Sequence, residues 1–510
     1  MSKFIQSFSA LIHERPLTFV ILASLIPRII AVIWSQGFVH SDDYYDTVMI
    51  AHSWLTQGLF HENGYLWWRG RTSEEIGRFP LYTLSLWSVM KIHYYLGVTS
   101  LETIMYTLRG LHALLSLAPV WACYRIVEIV TQDKRWAIGA GLYVGLNFAL
   151  PFLGVRCLIE IVGGNIWLVA MYALYRWRDE RPEFGALLAG LLTGLAWMVR
   201  FQIAFAALPI PFVLWYERKS IKPALWYSAG VSIMLVLSGF IDWYFLGEFA
   251  RSTLMNLEIN YRLLPLYDMS ALFYLAIILL MMTPPASFVM LRWMFKSILW
   301  KNHLPLIASS FCFVLCHSVI ANKQERFIFP IVTAFMTIGA LALWYRWRER
   351  GYIFKSKALQ RSLIGVAAVF NLVFLLFLTP AYTKKGLIEP VLEIKKLNSS
   401  AHVLFIQPDL RHYIPFEYAA PAMGRYYLRE WRQMDDLRNI PDPSAAFDFI
   451  VIYPPDKSDL PAYLDSTQSA LGELEFQFSV EPSYYDELIQ TLNPKHNPDF
   501  AAYVYTPAAP

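Results

Sequence analysis

Residues 17 to 46 read LTFVILASLIPRIIAVIWSQGFVHSDDYYD, an apolar run closely followed by the three carboxylates of Asp42, Asp43 and Asp46. Between Leu17 and Trp34 only Arg28 carries a charge, and a run of about 18 apolar residues is long enough to cross the hydrocarbon of a bilayer. No small-residue cleavage site follows it, so the run is expected to be a retained first span rather than a signal peptide. An ionised carboxylate at the edge of hydrocarbon is tolerated only where it meets water, a cation or a substrate. Two readings fit. The aspartates cap an interfacial helix and favour its dipole, or one of them is a general base at a site facing the membrane surface.

Working outward, the 510 residues are 56% hydrophobic and only 16% charged, which points to a polytopic, all-α membrane protein. Further apolar runs fall at 104–130, 136–153, 158–175, 184–199, 201–216, 224–246, 271–292, 303–321, 327–345 and 362–380, with 80–96 as a twelfth candidate. The 18 Trp suit a chain with many helix ends at the interface. A net charge of +4 spread over many loops argues against a nucleic-acid partner and makes membrane lipid the surrounding partner. The four cysteines, Cys123, Cys157, Cys312 and Cys316, lie in or beside apolar runs, with neither disulfide nor zinc spacing.

Short loops rich in Lys and Arg stay cytoplasmic. Here they are Lys134 and Arg135; Arg176, Arg178 and Arg181; Arg218, Lys219 and Lys222; Lys296 and Lys301; and Arg346, Arg348 and Arg350. All fall inside if 80–96 lies along the interface rather than crossing it. The count is then 11 transmembrane helices over 1–380, with a cytoplasmic N-terminus. A large first loop (36–103) and a C-terminal domain (381–510) lie on the far side. In that domain Val403 to Ile406 and Phe447 to Tyr453 read as buried strands, with a helix over 425–438. About 130 residues suffice for a small α/β domain with its own core.

The same count puts several polar residues at one mouth. Arg156 and Glu160 lie four apart, as an intrahelical ion pair or as a functional pair. Arg200 interrupts an apolar run, and a guanidinium at that depth calls for an anion such as phosphate. Before the run at 327 stands Asn322-Lys323-Gln324-Glu325-Arg326-Phe327-Ile328-Phe329-Pro330. Snorkelling from a helix end accounts for Lys323 more readily than for Glu325 and Arg326. His40, Asp42 and Asp43 carry donors that suit Mg or Mn, but their spacing matches no ligand pattern, so no metal and no other cofactor is expected.

Two motifs together, His40-Ser41-Asp42-Asp43-Tyr44-Tyr45 and Asn322 to Pro330, resemble those of the GPI and dolichol-pathway mannosyltransferases, which belong to the GT-C class and to glycosyltransferase family 22. Ile241-Asp242-Trp243-Tyr244-Phe245-Leu246-Gly247, followed by Asn256 and Asn260, is similar to a third family segment, so the likeness spans 36 to about 345. Ser41, Asp43 and Asn322 replace the Pro, Glu and His of the family pattern, and one residue is missing between the two Asn. The resemblance implies an inverting transfer of a sugar, mannose first, from a polyprenyl-phosphate donor to a lipid-linked or glycan acceptor. It implies Asp42 as the base, with Asp43 as the alternative. Lys323 and Arg326 would neutralise the donor phosphate, with Arg200 a further candidate, and Glu160 would orient the acceptor. His40, Arg156, Glu325 and Asp242 complete the expected substrate-binding set. A pentose or aminosugar transferase shares this logic. A lipid-linked glycan flippase would be expected to show two related halves, which the sequence lacks. The expected setting is the bacterial inner membrane, or the ER membrane in a eukaryote, with the site on the non-cytoplasmic face.

The parity of the spans predicts that a cysteine introduced near Asp459 reacts with an impermeant thiol reagent in intact cells. Protection until the membrane is opened would refute the 11-span count.

Overall fold

The computed structural model describes residues 13–40, 43–59, 79–262, 269–320, 323–408, 414–419, 426–430, 446–494, 497 and 501–508. The chain forms two compact units. One comprises 1–31, 71–85 and 109–379; the other comprises 32–70, 86–108 and 380–510.

The first unit is helical. Among the described residues of the whole chain, seven helices have the length and composition to cross a membrane, and a pair bent by 117°, Phe273–Met281 with Ala286–Met294, would make eight. The apolar runs suggest eleven, and the difference lies partly in broken runs. The run at 136–153 divides into Lys134–Gly145 and Leu150–Gly154, and that at 201–216 into a 3-10 turn and the helices Ala204–Ala207 and Ile210–Arg218. Pro151, Pro209 and Pro211 lie at these breaks, where a missing N–H and a fixed φ favour a new helix start. Arg28, the single charge of the first span, is 1% exposed. Its Nε donates to Ser116 Oγ at 2.7 Å, and Nη1 donates to the carbonyls of Ser24 and Gly145 at 2.7 Å each. A guanidinium that cannot reach water is thus satisfied by carbonyls and hydroxyls of three chain segments.

At the centre of this unit is Ile159–Arg176, which packs on Pro182–Val199, Ala118–Thr131 and Phe329–Arg350. In the most apolar 18-residue window of Glu325–Arg350, 89% of residues are buried, so it is an inner helix, whereas in that of Lys357–Leu378 the share is 6% and Val366, Val369, Leu372 and Leu376 face outward. Two glycines let the inner helices approach. A Cβ on Gly163 would lie 2.9 Å from Arg200 Cβ, and one on Gly164 would lie 2.5 Å from Pro330 Cα. Glu160 is one turn before Gly164, and Arg326 is four residues before Pro330, so this contact sets how near the two charges come.

The second unit contains the small sheet, of order β2-β1-β3-β5-β4: β1 Val403–Gln407, β2 Tyr426–Glu430, β3 Phe449–Ile452, β4 Leu474–Val480 and β5 Ala502–Pro507. β1 pairs in parallel with β2 and β3, while β5 runs antiparallel to β3 and β4. β1 and β3 are buried throughout, as their continuous apolar composition predicts. Leu404, Ile406, Ile450, Ile452, Tyr463, Leu471 and Tyr505 form the core against the helix Leu460–Leu471. The helix expected over 425–438 is not what the structure has: Tyr426–Glu430 is an edge strand whose ladder partner is β1. Tyr426-Tyr427-Leu428-Arg429-Glu430 carries no period that separates strand from helix, and pairing decides. Residues 431–445 lie outside the described residues. The chain after the first span joins this unit where Thr383 N–H donates to Gln36 O at 3.0 Å and Ser35 Oγ donates to Ala381 O at 2.8 Å.

Gly164→Ala is expected to force the inner helices apart and to cost about 1–3 kcal/mol by overpacking. A thermal melt of the detergent-solubilised variant checks it, and an unchanged melting temperature would show that Pro330 gives way freely.

Candidate active site

In the first unit, three breaks in apolar helices each deliver one charge. Glu160 sits in the first turn of Ile159–Arg176, where a carboxylate favours the helix dipole. Arg200 takes an extended conformation (φ −138°, ψ 104°) as Pro182–Val199 ends. Arg326 lies in a 3-10 turn, Glu325–Ile328, before Phe329–Arg350. Irregular backbone at membrane depth is tolerated where it is buried in protein or lines a cavity. Glu160 is fully buried, and Arg200 and Arg326 are 7% and 6% exposed. Glu160 Oε1 is 3.1 Å from Arg200 Nη2 and 3.9 Å from Arg326 Nε, so one carboxylate bridges two guanidiniums. Both guanidinium carbons lie 5.3 Å from the centre of the Phe327 ring, within cation–π range. Gln324 Oε1 accepts from Arg326 Nε at 2.8 Å and fixes that fork.

Lys323 precedes this turn, is 6% exposed, and has no hydrogen bond or ion pair with any described residue. Glu325, in the same turn, is exposed. Arg156 lies ahead of the helix that starts at Ile159, so helical i,i+4 geometry does not relate it to Glu160; it is buried, with its guanidinium 4.7 Å from the Phe152 ring centre. Asp242 is fully buried, and its Oδ2 accepts from the Ser252 N–H at 2.9 Å and Oγ at 2.7 Å. That bond pins the start of Arg251–Arg262 to Lys222–Leu246. Beside Arg200 opens a small cleft lined by Trp197, Gln202, Ser252, Thr253 and Asn256 among others.

The early motif belongs to the second unit. Asp42 lies outside the described residues. Asp43 is 4% exposed, and its Oδ2 accepts from the His40 N–H at 3.0 Å. A π-helical turn, Tyr44–Val48, follows directly, a form that recurs at functional sites. Among the described residues no group of three or more His, Cys, Asp or Glu is placed to hold a metal ion.

The structure thus brings Glu160, Arg200 and Arg326 into one cluster, and His40 and Asp43 into another. Sequence reading passed over Gln324, Phe327 and the Gly163-Gly164 pair. Gln324 and Phe327 stood inside the quoted string, and paired glycines in an apolar helix are a signal of close packing.

The sequence matches the Alg9-like mannosyltransferase family across residues 18–408. The chain belongs to this family. It is accordingly a multi-pass membrane glycosyltransferase, and the resemblance seen in the motifs holds over most of its length. No individually curated protein matches it. Among solved structures, ArnT from Cupriavidus metallidurans in the apo state is similar at 12% identity and a TM-score of 0.60, covering 96% of this chain and 97% of that one. The same enzyme bound to undecaprenyl phosphate gives 12% and 0.58 over the same shares. This likeness shows the GT-C fold for this family member.

Removing the bridging charge tests the cluster. Glu160→Gln leaves two buried guanidiniums facing one another, and breaking a buried ion network in this way typically costs about 3–5 kcal/mol. Thermal unfolding in detergent should show a large drop, with Glu160→Asp intermediate; a Gln variant as stable as wild type would mean the carboxylate does not bind the cluster together.

Proposed function

We propose that this glycosyltransferase moves a sugar, mannose as the first candidate, from a polyprenyl-phosphate donor to a lipid-linked or glycan acceptor with inversion. The observation that carries the reading is the cluster at the helix breaks: two guanidiniums of low exposure, Arg200 and Arg326, share the single carboxylate of Glu160 at 3.1 and 3.9 Å, and Lys323, three positions before Arg326, has no partner among the described residues. Two guanidiniums against one carboxylate leave an excess of buried positive charge, which costs several kcal/mol, and a phosphate on the substrate offsets that cost. Undecaprenyl phosphate bound to an enzyme of the same fold supports a lipid phosphate as this anion.

In the proposed reaction the carboxylate of Asp42, with Asp43 as the alternative, takes the proton of an acceptor hydroxyl. The acceptor oxygen bonds to the anomeric carbon from the face opposite the donor phosphate, and the bond from that carbon to the phosphate oxygen breaks. The electron pair leaves on polyprenyl phosphate, a stable anion that needs no general acid, unlike the leaving group in glycoside hydrolysis. Lys323, Arg326 and Arg200 hold its charge. Glu160 keeps the two guanidiniums oriented, and its proposed contact with the acceptor, like the substrate contacts of His40, Arg156, Glu325 and Asp242, belongs to the same reading. No metal is assigned a step. The site faces the non-cytoplasmic side of the bacterial inner membrane, or the ER lumen in a eukaryote.

Membranes given radiolabelled polyprenyl-phosphate sugars one at a time identify the donor, and three variants test the roles. Asp42→Asn should lower turnover about a hundredfold to ten-thousandfold. If Asp43→Asn is dead and Asp42→Asn is not, the base is Asp43; if both turn over normally, the loop holds no base. Arg326→Lys should weaken donor use while acceptor affinity holds, because a point charge replaces the fork. Superimposable donor titrations would return Arg326 to a structural role.

A further inference from the structure

The second unit places part of the C-terminal domain against the early motif. Tyr44, directly after Asp43, is 2% exposed. Its hydroxyl donates to Glu417 Oε2 at 3.2 Å, and its ring stacks on Tyr418 with centroids 5.9 Å apart and planes 16° from parallel. On its other flanks lie Phe38, stacked at 5.2 Å, and Tyr45, edge-on at 5.5 Å. Glu417 and Tyr418 occupy a 3-10 turn, Phe416–Ala419, between β1 and β2. That turn packs on the helix Lys385–Leu397, whose Lys395 Nζ donates to Tyr418 O at 3.2 Å. A residue more than 370 positions away therefore grips the side chain next to the motif carboxylates.

Stability alone does not explain an acid at 417. Burial pushes its carboxyl up to about 7, against the pull of the Tyr44 hydroxyl and its own N–H. An apolar side chain of similar volume would avoid that desolvation. What Glu417 supplies instead is direction, since an acceptor fixes where the phenol points and hence the rotation of the turn that carries Asp43.

We propose that Glu417 is a positioning residue for the transfer reaction, acting through the Tyr44 hydroxyl to hold the turn that bears Asp43, so that the C-terminal domain is part of the catalytic apparatus. The proposal rests on the assignment of the base to Asp42 or Asp43. It differs from a folding role in what each substitution does. Glu417→Leu keeps the volume and removes the acceptor, Tyr44→Phe keeps the ring and removes the donor, and Glu417→Gln keeps an acceptor oxygen.

Full-length protein in detergent is followed by turnover, by donor KM and by amide exchange over 43–48. Glu417→Leu and Tyr44→Phe should each lower kcat roughly ten- to hundredfold, the scale of a small misplacement of a reacting group, with donor KM little changed. Exchange over 43–48 should speed up, and the double variant should be no worse than either single one. Glu417→Gln should restore turnover. Its stability is a control with a definite sign: because the folded-state carboxyl titrates at about 7, above its ordinary range, stability falls as pH rises from that ordinary range to about 7 and stays lowered above it, so at pH 8 the Gln variant should melt no lower than wild type. Unchanged exchange in both single variants, or wild-type turnover while Asp42→Asn is dead, would overturn the proposal and leave the base assignment standing. Normal turnover in both Asp variants would instead remove the base assignment, and exchange alone would then decide whether the tether exists.

Discussion

Glu160 shares its charge between Arg200 and Arg326, and the first unit is arranged around that fact. At 3.1 Å and an effective dielectric near 20 the closer attraction is on the order of 5 kcal/mol before desolvation. Stripping water from each ion costs several kcal/mol, so the net gain is small and the network specifies more than it stabilises. None of the three can leave without stranding the others in a medium that solvates them poorly. The break after Val199, the turn at Glu325–Ile328 and the start of Ile159–Arg176 are therefore held together.

Packing makes this proximity available. The glycines at 163 and 164 remove the side chains that would hold Arg200 and Pro330 away, and they sit one turn from the carboxylate they serve. Phe327 then fills the space beside both guanidiniums with a face that attracts cations without neutralising them. The positive character of the cluster survives burial, which is what a site for an anion requires.

Two polar networks in the molecule use their charges differently. Arg28 spends its donors on carbonyls and a hydroxyl and is complete within the protein. Lys323 has no hydrogen-bond or ion-pair partner among the described residues. The difference between a satisfied buried ion and one awaiting a partner separates structural charge from candidate chemistry, and depth in the membrane does not.

The membrane class was legible in composition, because hydrocarbon accepts only long apolar helices and such runs cannot be hidden. The buried strands β1 and β3 were legible for the same reason: a strand covered on both faces reads as a continuous apolar run. The motif charges at 40–46 and 322–326 stood out as ions beside lipid, where a chance occurrence is costly. What the sequence could not decide were choices made by distant partners. Whether Tyr426–Glu430 becomes strand or helix depends on the free edge of β1. Whether Glu160 answers Arg156 or Arg200 depends on where the helix begins, and it begins too late for the nearer arginine. Spacing along the chain reports neighbours within a turn, but Tyr44 and Glu417, like Glu160 and Arg326, meet only because folding brings remote segments into hydrogen-bond or ion-pair range, and that belongs to tertiary structure alone.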